Sequence, residues 1–469
     1  MPTWEKNNTL GQDTISRILS RYVITINYND IPERIRNKVK EVLLDSIGCM
    51  IGGSQTEVGR ISARVMKSFG GEAESTLVGI ADKIPSINAV FANSMMANAL
   101  DFDDTFPWAG HPGATIIPPA LAVGEKLSTN GREILTSILL AYEVCGRIGL
   151  AIRPTAEGLK KVWGYGTWQT FGATIASGKL LGLDEDQLTH AFGIAGCNAP
   201  LPSLYKSALG PSGNTMVKNN YGVASQVGVQ STFLAQNGFE GPMDLFEGEE
   251  GFWRMAGSDQ CKFEVLTERL HDDFKIEQIA FKPYPSVRWN HSAIDGMLEI
   301  VRRNDLRIED IENVVINSFY LAVHHPFDVV HPKDSAQAAF STPYCVAVAV
   351  AGVPPGPEWY DEKLYKDPRI MRLAERVKLV EDKEADRNYP ELQLAKVKVR
   401  ARGKSYEARV ECPKGELKNP LSQEQLENKF RQVSKPYMSE KKVENIVRLV
   451  NDLETLENIN ELTRFLVFP

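Results

Sequence analysis

At 469 residues, with 43% hydrophobic and 24% charged, the chain is too long for one ordinary core and is neither disordered nor fibrous, so two or three globular domains are expected. A formal net charge of -7 without any basic run excludes a nucleic-acid partner of the usual electrostatic kind. The longest uninterrupted apolar runs, such as 344–353, are far too short to cross a bilayer, and the start Met1-Pro-Thr-Trp-Glu-Lys-Asn-Asn8 has neither the basic region nor the apolar core of a secretory leader. Cys49, Cys145, Cys197, Cys261, Cys345 and Cys412 are scattered with no close pair, which reads as buried thiols in a reducing, cytoplasmic setting.

In chain order, Ile35, Val39, Val42, Leu43, Ile47 and Met50 fall at helical spacing after Pro32, with Gly52-Gly53 as the predicted stop. An Ala-rich buried helix follows over 86–100, opened by Pro85. Further helices are predicted over 120–127, 132–152, 167–181, 185–196 and 219–237, and small residues such as Gly172, Ala173, Ala176, Ser177 and Gly178 let them approach closely.

Near His271 the period changes. Residues 274–282 read as extended up to Pro283-Tyr-Pro285, 313–323 as a strand, and 396–402 alternate strictly between apolar and basic. Gly403-Lys404 predicts a two-residue hairpin into 405–412, with Gly at the first turn position. Helical patterns over 291–303 and 336–351 lie between these strands. After Pro420 helices resume over 422–433, 439–453 and 456–466, the first opened by the capping box Ser422-Gln-Glu-Gln425. The prediction is a mostly α protein: a large all-helical domain from 1–271 plus 416–469, and a smaller α+β domain over 272–415.

The segment that ordinary folding does not ask for is Asp101-Phe-Asp-Asp-Thr105 with His111-Pro-Gly113 six residues on. Three aspartates follow the C-terminal end of a helix, where the dipole is unfavourable to negative charge. A further helical turn would set Asp101, Asp104 and Thr105 on one face, and the Gly-Pro-Gly turn would bring His111 back toward it. Crowded carboxylates raise one another's pKa and histidine titrates near neutrality, so the cluster suits proton transfer; the bland alternative is a solvated acidic turn. Lys206, Lys218, Lys282 and Arg288 each lie in a segment dense in Gly, Pro or aromatic residues, a setting for carboxylate clamps.

Other signatures are missing: no Gly-rich phosphate loop, no His-Glu-x-x-His and no nucleophile elbow. Asp101-Phe-Asp-Asp104 matches the Asp-x-Asp-Asp of class II terpene cyclases, a four-residue match of low specificity. His324, His325 and His331 near a strand end are read as solvated rather than as metal ligands.

Taken together these segments resemble the MmgE/PrpD family, whose members include 2-methylcitrate dehydratase, cis-aconitate decarboxylase and iminodisuccinate epimerase. The likeness is carried by Ala99-Leu-Asp-Phe-Asp-Asp-Thr105, His111-Pro-Gly, Gly238-Phe-Glu-Gly-Pro242 leading to Phe246-Glu-Gly248, Lys282-Pro-Tyr-Pro285 and His291-x-x-Ile-Asp295. The resemblance implies a helical domain, an α+β lid, a homodimer, and a site between the domains that uses no metal or organic cofactor. By position it implies Asp101, Thr105 and His111 as the acidic-turn site residues, Lys282 as the lysine of the lid motif and Tyr344 as the tyrosine of the lid helix. The chain departs from the family twice. Val162-Trp-Gly-Tyr165 stands where many members carry His-Pro, so Trp163 or Tyr165 replaces a second histidine; and the lysine before Gly222 aligns with Val217, with Lys218 one residue away.

The expected chemistry is proton transfer at carbon next to a carboxylate of a small di- or tricarboxylate. Asp101 and His111 would exchange protons, with Tyr344 and Thr105 assisting, while Lys218, Lys282, Arg288 and Lys206 hold carboxylates and Trp163 and His291 complete the substrate-binding set. The first reading is a lyase that eliminates water from a hydroxy polycarboxylate such as 2-methylcitrate. The alternatives are an epimerase of a dicarboxylate, a cis-aconitate-type decarboxylase, and a non-catalytic dimeric scaffold.

Overall fold

The computed structural model describes residues 13–106, 110–159, 165–201 and 221–468. The apolar core divides in two. One cluster draws on residues from Leu19 to Phe281 and again on Leu426 to Phe468, so the C-terminal helices Gln423–Ser434 and Glu440–Asn451 return to pack on the first half of the chain. The other cluster is built from Ala293 to Ala408.

The first body is helical, with long elements at Glu33–Ser54, Ser86–Asn98, Gly113–Leu127, Gly131–Ala151, Tyr165–Leu180, Glu185–Asn198 and Tyr221–Gln236, but it is not all-helical: Ser75–Thr76 and Lys83–Ile84 pair as a small antiparallel sheet. Small hydroxyl residues stitch the close crossings: Ser94 donates to Ser225 at 2.9 Å, and the Ser177 and Thr232 hydroxyls lie 3.1 Å apart. Gly52 and Gly53 lie in the last turn of the helix Glu33–Ser54, one residue short of its end, and Gly53 is also needed for packing, since a Cβ there would meet the Met96 carbonyl. Gly131–Ala151 is long and apolar enough by length and composition to cross a membrane, unlike the uninterrupted runs weighed above. With 94% of its apolar stretch buried and the Glu143–Arg147 pair on it, it serves as a core helix here.

The second body holds a four-stranded sheet in the order Val377–Glu381, Ile311–Ser318, Ala395–Ala401, Lys404–Val410, the first pair parallel and the others antiparallel. Ala395, Val397, Val399 and Ala401 face inward beneath the helix His291–Arg303, as the alternation predicts. The outward Lys398 and Arg400 meet Glu407 and Glu312 at 3.0 Å, so the basic stripe is a paired, solvated face.

Several elements differ from expectation. The hairpin turn is Arg402-Gly403, with φ of 51° and 71°, so Gly takes the second position, as a turn with two left-handed residues requires. Residues 274–282 hold a short 3-10 helix at Lys275–Gln278, and the strand predicted over 313–323 ends at Ser318 before the short helix Tyr320–Val323. The helix over 336–351 is broken at Ser341 into Ser335–Phe340 and Thr342–Val350.

Candidate active site

The helix Ser86–Asn98 stops where the acidic run begins. Asp101 adopts a left-handed φ of 47° and donates its backbone N–H to the Asn98 carbonyl at 2.9 Å. Aspartate tolerates this conformation better than most residues, and it reverses the chain. The predicted extra helical turn is therefore absent, and Asp101, Asp104 and Thr105 do not share one helical face. Thr105 instead forms a β-bridge to Ala280 through backbone bonds of 2.8 and 2.9 Å, which ties the acidic turn to the segment leading into the second body. Two residues beyond Ala280, the buried Lys282 ammonium contacts the Asp101 carbonyl at 2.8 Å and Asp101 Oδ1 at 2.5 Å.

His111 closes the cluster from the other side, after Gly110 at a φ of 92°. Its Nδ1 lies 2.8 Å from the Asp104 carbonyl and 3.3 Å from Asp103 Oδ1, while Nε2 lies 3.5 Å from Asp101 Oδ1. A carbonyl oxygen only accepts, so Nδ1 carries a hydrogen and Nε2, on the Asp101 side, is left as the acceptor. Gly113 is required here: a Cβ would lie 2.7 Å from Asp104 Oδ1 and 2.9 Å from the Tyr142 hydroxyl, whereas its bare N–H donates to Asp104 Oδ1 at 3.1 Å.

Four carboxylates, Asp45, Asp101, Asp103 and Asp104, are buried together, and desolvation makes such crowding unfavourable unless charge is cancelled. Lys282 answers Asp101. Lys429, from the C-terminal helix, donates to Asp45 Oδ1 and to the Phe102 carbonyl, both at 2.6 Å, and sits 3.9 Å from the centre of the Phe102 ring. Asn98 donates to both oxygens of Asp103, at 2.9 and 3.1 Å. Asp104 has no cation among the described residues; burial first, and the Asp103 charge second, push its pKa up to about 8 against the opposing bond from Tyr142 at 2.7 Å. It therefore keeps a proton at neutral pH and removes one negative charge from the set.

That proton carries a stability signature. Unfolded Asp104 ionises near pH 4 while the folded residue stays protonated to about 8, so between these values unfolding releases a proton and native stability falls as pH rises. Asp104→Asn, which keeps an acceptor for Gly113 and can offer its amide N–H to the Tyr142 oxygen in place of the bond that hydroxyl now donates, is expected to gain stability relative to the parent steadily from about pH 4 to about pH 8. Denaturant titrations across this range check it; a gap that does not change with pH would show that Asp104 is ionised in the native state.

The structure brings Asp101, His111 and Lys282 to one place, whereas Thr105 bonds to Ala280, two residues before Lys282. Tyr344 lies elsewhere in the second body: its hydroxyl donates to the Trp359 carbonyl at 2.6 Å and its ring packs in that core, against Tyr365. Arg288 spends Nε on Glu416 at 2.6 Å and Nη1 on the Phe281 carbonyl at 3.1 Å, while its Nη2 is buried with no hydrogen-bond partner among the described residues. His291 is fully buried between Arg288 Nη1 and the Ser286 carbonyl, and burial with the Arg288 and Lys282 charges holds it well below the usual histidine range, hence neutral. Lys206, Lys218 and Trp163 lie outside the described residues.

Asp103, Tyr142, Asp45 and Lys429 were not singled out from the sequence. Only Asp103 had a local signal, its place in the acidic run; the others join through tertiary contact. Asp101, Asp103 and His111 can bring ligand atoms within 4.8 Å of one another, a spacing open to a metal ion. The Lys282 ammonium already lies against the Asp101 carboxylate, so the cation that serves Asp101 is an amino group. His324, His325 and His331 are exposed and face three different carboxylates, Glu381, Asp328 and Glu375, at 3.5–3.8 Å, and do not converge.

Comparison with known proteins gives a match along nearly the whole chain. The model of the MmgE/PrpD N-terminal domain matches residues 17–264 and that of the MmgE/PrpD C-terminal domain residues 284–455. The chain is 26% identical over 458 residues to a cis-aconitate decarboxylase of Homo sapiens, covering 94% of this chain and 92% of that protein. It is 25% identical over 468 residues to a cis-aconitate decarboxylase of Aspergillus terreus, covering 94% and 93%. An alkylcitrate dehydratase, phiI, of a fungal species (strain ATCC 74256) is 23% identical over 444 residues, covering 86% and 84%. With both domain models in order and a helical body joined to a smaller α+β unit, the chain belongs to the MmgE/PrpD family.

Proposed function

We propose that this protein is a lyase acting on a small polycarboxylate through proton transfer at the carbon next to a carboxylate, and that its reaction is loss of water from a hydroxy tricarboxylate of the 2-methylcitrate type. The observation that carries the proposal is the convergence of Asp101 and His111 from the helical body with Lys282 from the start of the α+β unit in one buried cluster. In such a site fixed charges act with little screening, so an ammonium meets the charge that develops on a substrate carboxylate as the α-proton leaves. His111 Nε2 takes that proton; the C–O bond breaks, a carbon–carbon double bond forms, and the departing hydroxide takes the proton from the His111 imidazolium and leaves as water, while the Asp101 carboxylate beside Nε2 stabilises that imidazolium. Lys282, Arg288 through an Nη2 that has no partner among the described residues, and Lys218 and Lys206 supply the carboxylate clamps.

A second reading is favoured by the relatives named cis-aconitate decarboxylase. There the bond to a carboxylate carbon breaks, carbon dioxide leaves, and the electron pair is protonated by His111 in its imidazolium form, which regains its proton from water. Incubation with 2-methylcitrate, citrate and cis-aconitate in deuterated water, followed by proton NMR, separates the readings. Water loss yields a new alkene from 2-methylcitrate, decarboxylation yields carbon dioxide from cis-aconitate, and deuterium wash-in without net product points to an epimerase. Inertness toward all three, with no exchange, would remove the lyase proposal.

A further inference from the structure

The two halves of the Asp101–Lys282 pair belong to different cores, and an ion pair alone does not fix their separation. Tyr360 ends the short 3-10 helix Pro357–Tyr360 of the second body. Its hydroxyl lies 2.9 Å from the carbonyl of Leu100, the residue before Asp101, and 2.5 Å from the carbonyl of Pro285, the last residue of the Lys282-Pro-Tyr-Pro motif. A phenol has one proton, so it is shared between two carbonyls that would otherwise face each other without a donor. The ring is equally central. It packs against the core of the second body, against the cluster of Cys49, Leu100, Phe102 and Val433, and against that of Val287, Phe327, Ala339 and Phe340. The Tyr365 hydroxyl in turn donates to the Tyr360 carbonyl at 3.1 Å, holding the wedge in place.

We infer that Tyr360 is a positioning residue: it pins the chain on either side of the Asp101–Lys282 pair and thereby sets the distance between the acid of the body and the cation of the lid. It touches none of the groups assigned to proton transfer; it acts through the backbone at Leu100 and Pro285. The catalytic consequence rests on the lyase reading, whereas the mechanical one does not.

Tyr360→Phe keeps the ring and removes the shared proton. Hydrogen exchange by mass spectrometry is expected to speed up at 98–106 and 281–288 and to stay unchanged in the strands Ile311–Ser318 and Ala395–Ala401, which report the integrity of the lid fold. With the substrate that the parent turns over, kcat is expected to fall about tenfold or more with KM within about twofold, as for a displaced catalytic group without a lost binding contact. Unchanged exchange at 98–106 and 281–288 overturns the inference, as does loosening of the whole lid together, which would make Tyr360 a folding residue only. Local loosening with kcat unchanged also overturns it. If the parent turns over no polycarboxylate, the lyase reading fails, and the exchange result alone still decides whether Tyr360 pins the two segments.

Discussion

Replacing Lys282 by methionine is expected to give the largest loss of both stability and activity of any single change at this site. The ammonium and the Asp101 carboxylate are both fully buried and 2.5 Å apart, and removing one member leaves the other charge in a medium that cannot solvate it. Breaking a buried pair in this way costs about 3–5 kcal/mol. Asp101 responds by binding a proton, so the loss is greatest at neutral and alkaline pH and shrinks in acid. The double variant Lys282→Met/Asp101→Asn removes both charges and is expected to recover most of the stability while remaining inactive. Denaturant titration of the parent, the two single variants and the double variant measures the coupling. A Lys282→Met protein as stable as its parent would mean that the pair is not buried as described, and the electrostatic argument for the site would go with it.

Replacing His111 by asparagine is expected to separate chemistry from folding. Asparagine still offers an N–H toward the Asp104 carbonyl, which His111 Nδ1 reaches at 2.8 Å, so the turn at 101–113 keeps its tie and stability changes by no more than about 1 kcal/mol. The proton acceptor at Nε2 is gone. General acid–base catalysis by a positioned side chain contributes about 10²–10⁴-fold, and a rate loss in that range is expected, together with loss of deuterium exchange at the substrate α-carbon in deuterated water. Initial rates and proton NMR on the same samples check both. Retained α-proton exchange in His111→Asn would assign the base elsewhere, Asp101 being the nearest alternative.

How these groups meet explains which of them could be read in advance. Asp101, Thr105 and His111 stand within eleven residues of one another, and the Gly110-His-Pro-Gly113 turn is written locally, so the cluster of acid and imidazole was legible as a run that broke the charge rule at a helix end. Lys282 was legible through its Pro-Tyr-Pro context, although nothing local says that it reaches back 181 residues to Asp101. Lys429 lies 327 residues from the Phe102 carbonyl it holds, on an amphipathic helix where a lysine looks like any other surface charge. Tyr142 sits in the middle of an apolar helix and reads as core; only the fold turns its hydroxyl onto Asp104. Tyr344 was placed at the site by likeness to a family motif, whereas its hydroxyl is bonded inside the lid and a different tyrosine, Tyr360, stands between the two segments.

The sequence by itself determined most of the elements, though not the strand end at Ser318 or the helix break at Ser341. Periodicity of 3.6 gave the helical body and periodicity of 2 the alternating strand Ala395–Ala401, because side-chain direction follows backbone repeat before any tertiary contact exists. It also determined the opening of the tail helix at Ser422, since a capping box satisfies its own backbone donors within four residues. Only the tertiary structure decided the end of the helix before Asp101, the directions in which four neighbouring carboxylates point, and which of them keeps a proton. Those outcomes depend on partners brought from the C-terminal helix, the core and the lid, and on the removal of water around them. Desolvation and Coulomb attraction act through space and leave no local pattern in the chain.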